Sequence, residues 1–212
     1  MLISTPAVAG IAYTAAWAVG LAVWPSNLDV ATSGAQVVAT YTGHQVAAIT
    51  QYLLVEGLAA VALAGVVLAL GQTARRRGAG RLGGATVLSG TAAVLLSLVQ
   101  CTLGLMLAAA AVPDGDTGRA GVLFDVINRM DGAKMFVLAI MAGAGVGLVR
   151  AGLLPRWLGY AGALLAAALI VSGTGYLLLS SRLAIAAFVS LPLLLVWVTG
   201  TGIAIAVGRT SR

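Results

Sequence analysis

No charged residue stands between Arg81 and Asp114, between Arg156 and Arg182, or between Arg182 and Arg209. A helix needs about 20 apolar residues to cross a bilayer, and charge-free runs of this length leave few other folds open. In hydrocarbon every backbone N–H and C=O must be paired within the segment, so such runs are expected to be helices. Composition agrees: 60% of the 212 residues are hydrophobic and 8% are charged, against about 25% charged in an ordinary soluble domain. The expected fold class is all-α, a polytopic transmembrane helical bundle.

Turn residues divide the chain into six expected spans, at roughly 6–24, 45–71, 83–112, 132–150, 157–179 and 183–207. Trp24-Pro25-Ser26-Asn27 closes the first and Pro113-Asp-Gly-Asp-Thr-Gly closes the third, both turn-forming clusters. The 28 glycines favour close helix approach in a membrane. No internal repeat or linker divides the chain, so residues 1–212 read as one transmembrane domain. The N-terminus lacks a basic region and a cleavage site, so the first apolar run reads as a retained helix and not a signal peptide.

Charge sets the orientation. Arg75, Arg76, Arg77, Arg81, Arg150, Arg156, Arg209 and Arg212 fall on one side, with no acid among them. Arg119, Arg129, Lys134 and Arg182 fall on the other, with Asp29, Asp114, Asp116, Asp125 and Asp131. The positive-inside rule then places both termini in the cytoplasm. The net charge of +6 is thus accounted for by topology and does not indicate nucleic acid. Arg75–Arg77 reads as an orientation signal with affinity for anionic lipid. Of the two long outer segments, 25–44 and 113–131, the second fits either an amphipathic surface helix or an outward extension of the fourth span.

Glu56 is the only acid between Asp29 and Asp114. An ionisable residue inside a span marks a functional site by default, and hydrocarbon favours the uncharged acid, which can donate a proton. By helix rise Glu56 lies about 15–18 Å past His44, in the outer half or near the middle. Gln100, Asp131, Lys134, Ser172, Thr174 and Tyr176 are expected in the same half. Tyr52 shares the helical face of Glu56. Tyr13, Trp17, Gly20 and Trp24 form a stripe on the first span. Trp24 reads as an interfacial anchor, and Tyr13 and Trp17 as core or as the wall of a hydrophobic pocket. Asp125/Arg129 and Asp131/Lys134 have the spacing of helix-surface ion pairs. His44 reads as a surface residue and Pro192 as a kink. The single Cys101 has no disulfide partner and no metal-ligand neighbours. There is no phosphate loop, nucleophile elbow or Asp-rich diphosphate motif. No metal and no cofactor is expected.

The stretch Gly147-Leu-Val-Arg150-Ala-Gly-Leu-Leu-Pro155-Arg156-Trp157-Leu-Gly159-Tyr160 resembles an inner loop of an actinobacterial integral membrane family of unknown function. That likeness, over roughly residues 130–180, implies six or seven helices in a bacterial membrane and implies no activity. In size and hydropathy the chain is also similar to small membrane-embedded terpene cyclases of the fungal meroterpenoid and bacterial indole-terpenoid types. These protonate an olefin or epoxide with embedded carboxylic acids, one of them in an early helix. Glu56 would match that acid. The Asn and Trp near the fungal glutamate are replaced here by Gln51, Tyr52 and Val55, and the second acid is open among Asp29, Asp125 and Asp131.

The expected function is therefore a cofactor-free intramembrane cyclase or isomerase of a lipophilic, isoprenoid-type substrate, in a bacterial cytoplasmic membrane. Glu56 would be the acid, with Asp131 or Asp29 assisting; Tyr13, Trp17, Tyr52, Gln100 and Tyr176 would bind substrate. The alternatives are a non-enzymatic accessory or lipid-binding membrane protein and, third, a proton-coupled transporter. The topology has a direct check. In a Cys101→Ser background, Gly78→Cys should resist an impermeant thiol reagent added to intact cells. Labelling from outside would reverse the orientation.

Overall fold

Six helices of the computed structural model are long and apolar enough to cross a membrane: Thr5–Val23, Gln45–Arg76, Gly80–Ala111, Thr117–Arg150, Arg156–Leu177 and Ser181–Gly208. The structure describes residues 5–25 and 28–210, the last two by backbone only. The turn residues Ser26 and Asn27, the Arg209 side chain and Arg212 lie outside this description. Among the described residues there is no strand.

Local chemistry explains the element ends. The first span is α1 (Thr5–Val23) and stops before Trp24-Pro25. A short helix follows, α2 (Gly34–Tyr41), started by a capping box in which Ser33 and Gln36 each bond the other's backbone amide. The second span comprises α3 (Gln45–Tyr52), a π turn over Leu53–Leu58 and α4 (Ala59–Arg76). The third is α5 (Gly80–Met106) with a π turn over Leu107–Ala111. Asp116 caps α6 (Thr117–Arg150) by accepting from the Arg119 amide at 2.9 Å. After Gly152, whose φ of 71° suits a residue without Cβ, comes α7 (Arg156–Leu177). The last span is α8 (Ser181–Ala184) and α9 (Ala187–Thr210), with Pro192 inside.

Two expectations change here. Residues 117–131 continue the fourth span as one helix, which decides between the two forms that the amphipathic pattern allowed. Trp24 is not an interfacial anchor: it is buried, edge-on to Tyr41 at 4.5 Å between ring centroids. With Val37, Leu107, Phe124 and Ile127 it builds a small second core, under α2, at one end of the bundle. Gly34 and Gly121 let α2 lie directly on α6; a Cβ on Gly121 would sit 3.3 Å from the Gly34 Cα.

The spans pack in a ring in chain order, and α9 returns to lie against α1. Contacts between Pro6 and Gly202, Arg77 and Gly208, and Leu82 and Gly147 gather the start of α1 and the end of α9 with Arg77 and the start of α5 at one end of the bundle. Val66, Leu70, Met141, Leu148, Leu158, Leu165 and Trp197 fill the centre toward that end. Outward-facing Val61, Leu88, Leu95, Ile140, Leu164 and Phe188 are exposed, an apolar surface suited to lipid and not to water.

Small residues set the tightest approach. A Cβ on Gly132 would lie 2.7 Å from the Gly173 carbonyl oxygen, so α6 and α7 touch backbone to backbone. Gly84 of α5 has nothing within 4 Å of such an atom. Gly132→Ala should therefore destabilise the bundle, whereas Gly84→Ala should be neutral or stabilise it by up to about 1 kcal/mol through helix propensity. Unfolding in detergent compares the two; an unharmed Gly132→Ala protein would refute the close approach.

Candidate functional site

Lys134 lies three residues after Asp131 on α6, one helical turn along the same face. It is buried, and its Nζ donates to Glu56 Oε1 and Oε2, each at 2.8 Å. It also stands 2.8 Å from Asp131 Oδ1. Glu56 is buried too, while the Asp131 side chain keeps 23% of its exposure. The Ser97 hydroxyl also faces the Glu56 carboxyl group. One ammonium group thus joins two carboxyl groups from different spans.

The π turn helps to place Glu56. The Ala59 amide bonds the Leu54 carbonyl, five residues back, which widens the helix. Val55 and Ala60, five apart, consequently line one cavity together, with Leu63 a further turn along. Such widened turns occur frequently at functional sites.

The cavity measures about 50 Å³ in water-accessible space. Tyr13 and Trp17 of α1, Ser97 of α5, Asp131, Lys134 and Leu138 of α6, Leu169 of α7 and Ser190 and Leu194 of α9 contribute to its wall. Asp131 and Lys134 face it, and Glu56 stands behind them, outside the lining. Half-buried Trp17, Met135 and Leu191 form its less enclosed part. Beside it the Ser190 and Ser172 hydroxyls are 3.2 Å apart, joining α9 to α7. Pro192, which cannot donate a backbone hydrogen bond, lies two residues after Ser190.

The candidate residues of the sequence therefore separate. Glu56, Asp131, Tyr13 and Trp17 converge. Tyr176 is half-buried and near enough to feel the charges of Asp131 and Lys134. Tyr52 does not reach Glu56 by a hydrogen bond: its hydroxyl lies 3.1 Å from that of Tyr41, and its ring packs on Gly104. Gln100 is a clamp between spans, donating to the Ile127 carbonyl at 3.1 Å, with its Oε1 buried and unpartnered. Asp29 is exposed and bonds Ser181 Oγ at 2.6 Å and the Ala31 amide at 3.0 Å. These bonds hold its carboxyl group below the usual range, so at neutral pH it has no proton to give. Asp125 is not in the cavity wall. Arg129 donates to the Leu177 carbonyl at 2.8 Å, at the C-terminus of α7, in place of the expected bond to Asp125.

Lys134 is the residue that sequence reasoning misplaced. As one of a pair at i, i+3 it resembled a solvated helix-surface lysine. The signal against that reading was its position at the head of a run with no further charge until Arg150. His44 is exposed as expected, stacked on Trp24, and the described residues contain no cluster of metal-binding side chains. Comparison with protein families, curated proteins and solved structures finds no match to this chain.

The pairing has an energetic signature. Removing one partner of a buried ion pair costs about 3–5 kcal/mol, because the other charge is left uncompensated. Lys134→Met should cost about that much in detergent unfolding, and Lys134→Met combined with Glu56→Leu should recover part of the loss. Strict additivity of the two substitutions would show that the groups do not interact.

Proposed function

We propose that this protein is a membrane-embedded enzyme that isomerises or cyclises a lipophilic, isoprenoid-type substrate by general acid catalysis. The observation that carries the reading is the placement of Asp131 and Lys134 on the wall of an aromatic-lined cavity, with Glu56 bonded behind them. Two carboxyl groups and one ammonium group are electrically neutral when the carboxyl pair holds one proton. Hydrocarbon surroundings favour that neutral composition over a net charge. Glu56 accepts from Lys134 through both oxygens, whereas Asp131 bonds it through one oxygen and is the more open of the two. Asp131 is therefore the carboxyl group placed to pass the shared proton to a substrate, and Glu56 fixes Lys134. This exchanges the roles that the sequence suggested.

Protonation of an olefin or epoxide would leave a cation beside Trp17 and Tyr13, whose ring faces can stabilise it. The cavity accommodates three to five waters at about 10–15 Å³ each, or the branched end of an isoprenoid. The remaining chain would lie toward lipid past Trp17 and Leu191. The arginine-bearing end faces the cytoplasm of a bacterial cell, which puts the cavity in the outer half of the membrane. The packed centre of Val66, Leu70, Leu148 and Leu158 does not favour a transport path. A second reading, a non-catalytic membrane subunit with the cluster as a strut, draws on the full use of the Lys134 ammonium group.

Membranes incubated with geranylated or farnesylated aromatic substrates should yield cyclised isomers of unchanged mass. Asp131→Asn should reduce turnover by at least about 100-fold, the scale of general acid catalysis, with the fold retained. Trp17→Ala should change binding or product distribution. An Asp131→Asn protein with undiminished activity would remove the acid from the mechanism. Absence of isomers from wild-type membranes would favour the strut.

A further inference from the structure

The arginine-bearing end holds a second concavity, where α6 turns into α7. It measures about 890 Å³, and its wall includes Val146, Val149, Arg150, Pro155, Arg156 and Tyr160. The turn is held from below: Leu154 is buried, and the Gly159 Cα position packs against Val149. Both arginines are exposed, and the ion pairs among the described residues all belong to Lys134. Neither arginine has an acid to neutralise it. The groove is apolar away from the arginines, and from Arg156 to Ala163, which also lines it, the helix rises about 10 Å.

We infer that this groove binds one anionic glycerophospholipid, its phosphate between Arg150 and Arg156 and an acyl chain along Val146, Val149 and Ala163. Charge complementarity favours that occupant. Two guanidinium groups offer planar, paired donors that match phosphate oxygens, and the Val146, Val149 and Ala163 side chains in the same wall suit hydrocarbon. A soluble phosphate would use the arginines and leave the groove empty. An acidic protein segment would gain little from Val146, Val149 and Ala163. The inference needs the spans to lie in a membrane and does not depend on the chemistry proposed for Asp131.

The test uses the full chain purified from bilayers containing equal phosphatidylglycerol and phosphatidylcholine, with retained lipid counted by native mass spectrometry. Wild-type protein should keep one phosphatidylglycerol in preference to phosphatidylcholine. Arg150→Gln/Arg156→Gln should weaken that preference about thirtyfold, from the usual contribution of each arginine near an anionic headgroup. Ala163→Trp, on an exposed position, should displace the lipid while both charges remain. Millimolar inorganic phosphate should not compete. Unchanged retention in the double arginine variant or in Ala163→Trp would overturn the site. Competition by inorganic phosphate would overturn the lipid. Loss of preference only on neutralising Arg75, Arg76 and Arg77 would assign it to the general surface charge.

Discussion

Lys134 fixes the organisation of the site. A single ammonium group, buried among six apolar helices, holds Glu56 of the second span and Asp131 of its own. In water such pairs contribute little, because solvent screens them. In a low-dielectric interior the same contacts are strong, and an unpaired member is costly. The cluster therefore ties α6 to the π turn of the second span across the interior of the ring, with α5 between them in the wall. The cavity walls follow: once Glu56 is tied to Lys134, Val55 and Ala60 turn toward Tyr13, and Asp131 is left facing the open space.

Two kinds of packing surround this point. Toward the arginine-bearing end the bundle is closed by branched aliphatic side chains and by Trp197, whose indole N–H donates to the Leu158 carbonyl at 3.2 Å. Toward the other end it is closed by α2 and Trp24, and by Gln100 reaching the Ile127 carbonyl. The polar groups that could move protons lie between the two. Chemistry of the proposed kind requires that arrangement: a carboxyl group kept from bulk water, with aromatic faces in place of solvent around a developing charge. Glycines at the α6–α7 contact serve the same end by bringing Ser172 and Asp131 onto neighbouring, closely packed helices.

The fold was legible because a bilayer simplifies the problem. Apolar runs ended by Pro25, Pro113 and Pro155, or by arginines, place six helices close to their observed ends, except that the fourth begins at Thr117 and not at residue 132. The site was legible in part. Glu56 stood out as an acid in an apolar run, and the spacing of Tyr13 and Trp17 put them on one face. The partners of Tyr52 and Gln100 were not legible because Tyr41 and Ile127 lie on other elements. Helical periodicity reports which residues share a face, not which polar group a neighbouring helix offers them. The π turn was likewise silent, since an inserted residue in an apolar run leaves no compositional mark.

By itself the sequence determined the class of fold, the number of spans and the bias of arginines toward one end, since each follows from transfer of local segments between water and hydrocarbon. Tertiary structure alone decided that Lys134 points inward, that it joins Glu56 to Asp131, and that Asp131, not Glu56, meets the cavity. Burial of a charge is set by what the facing helix supplies, and Glu56 and Lys134 are separated by 78 positions in the chain. No local pattern contains that pairing; it exists only when the ring of helices closes.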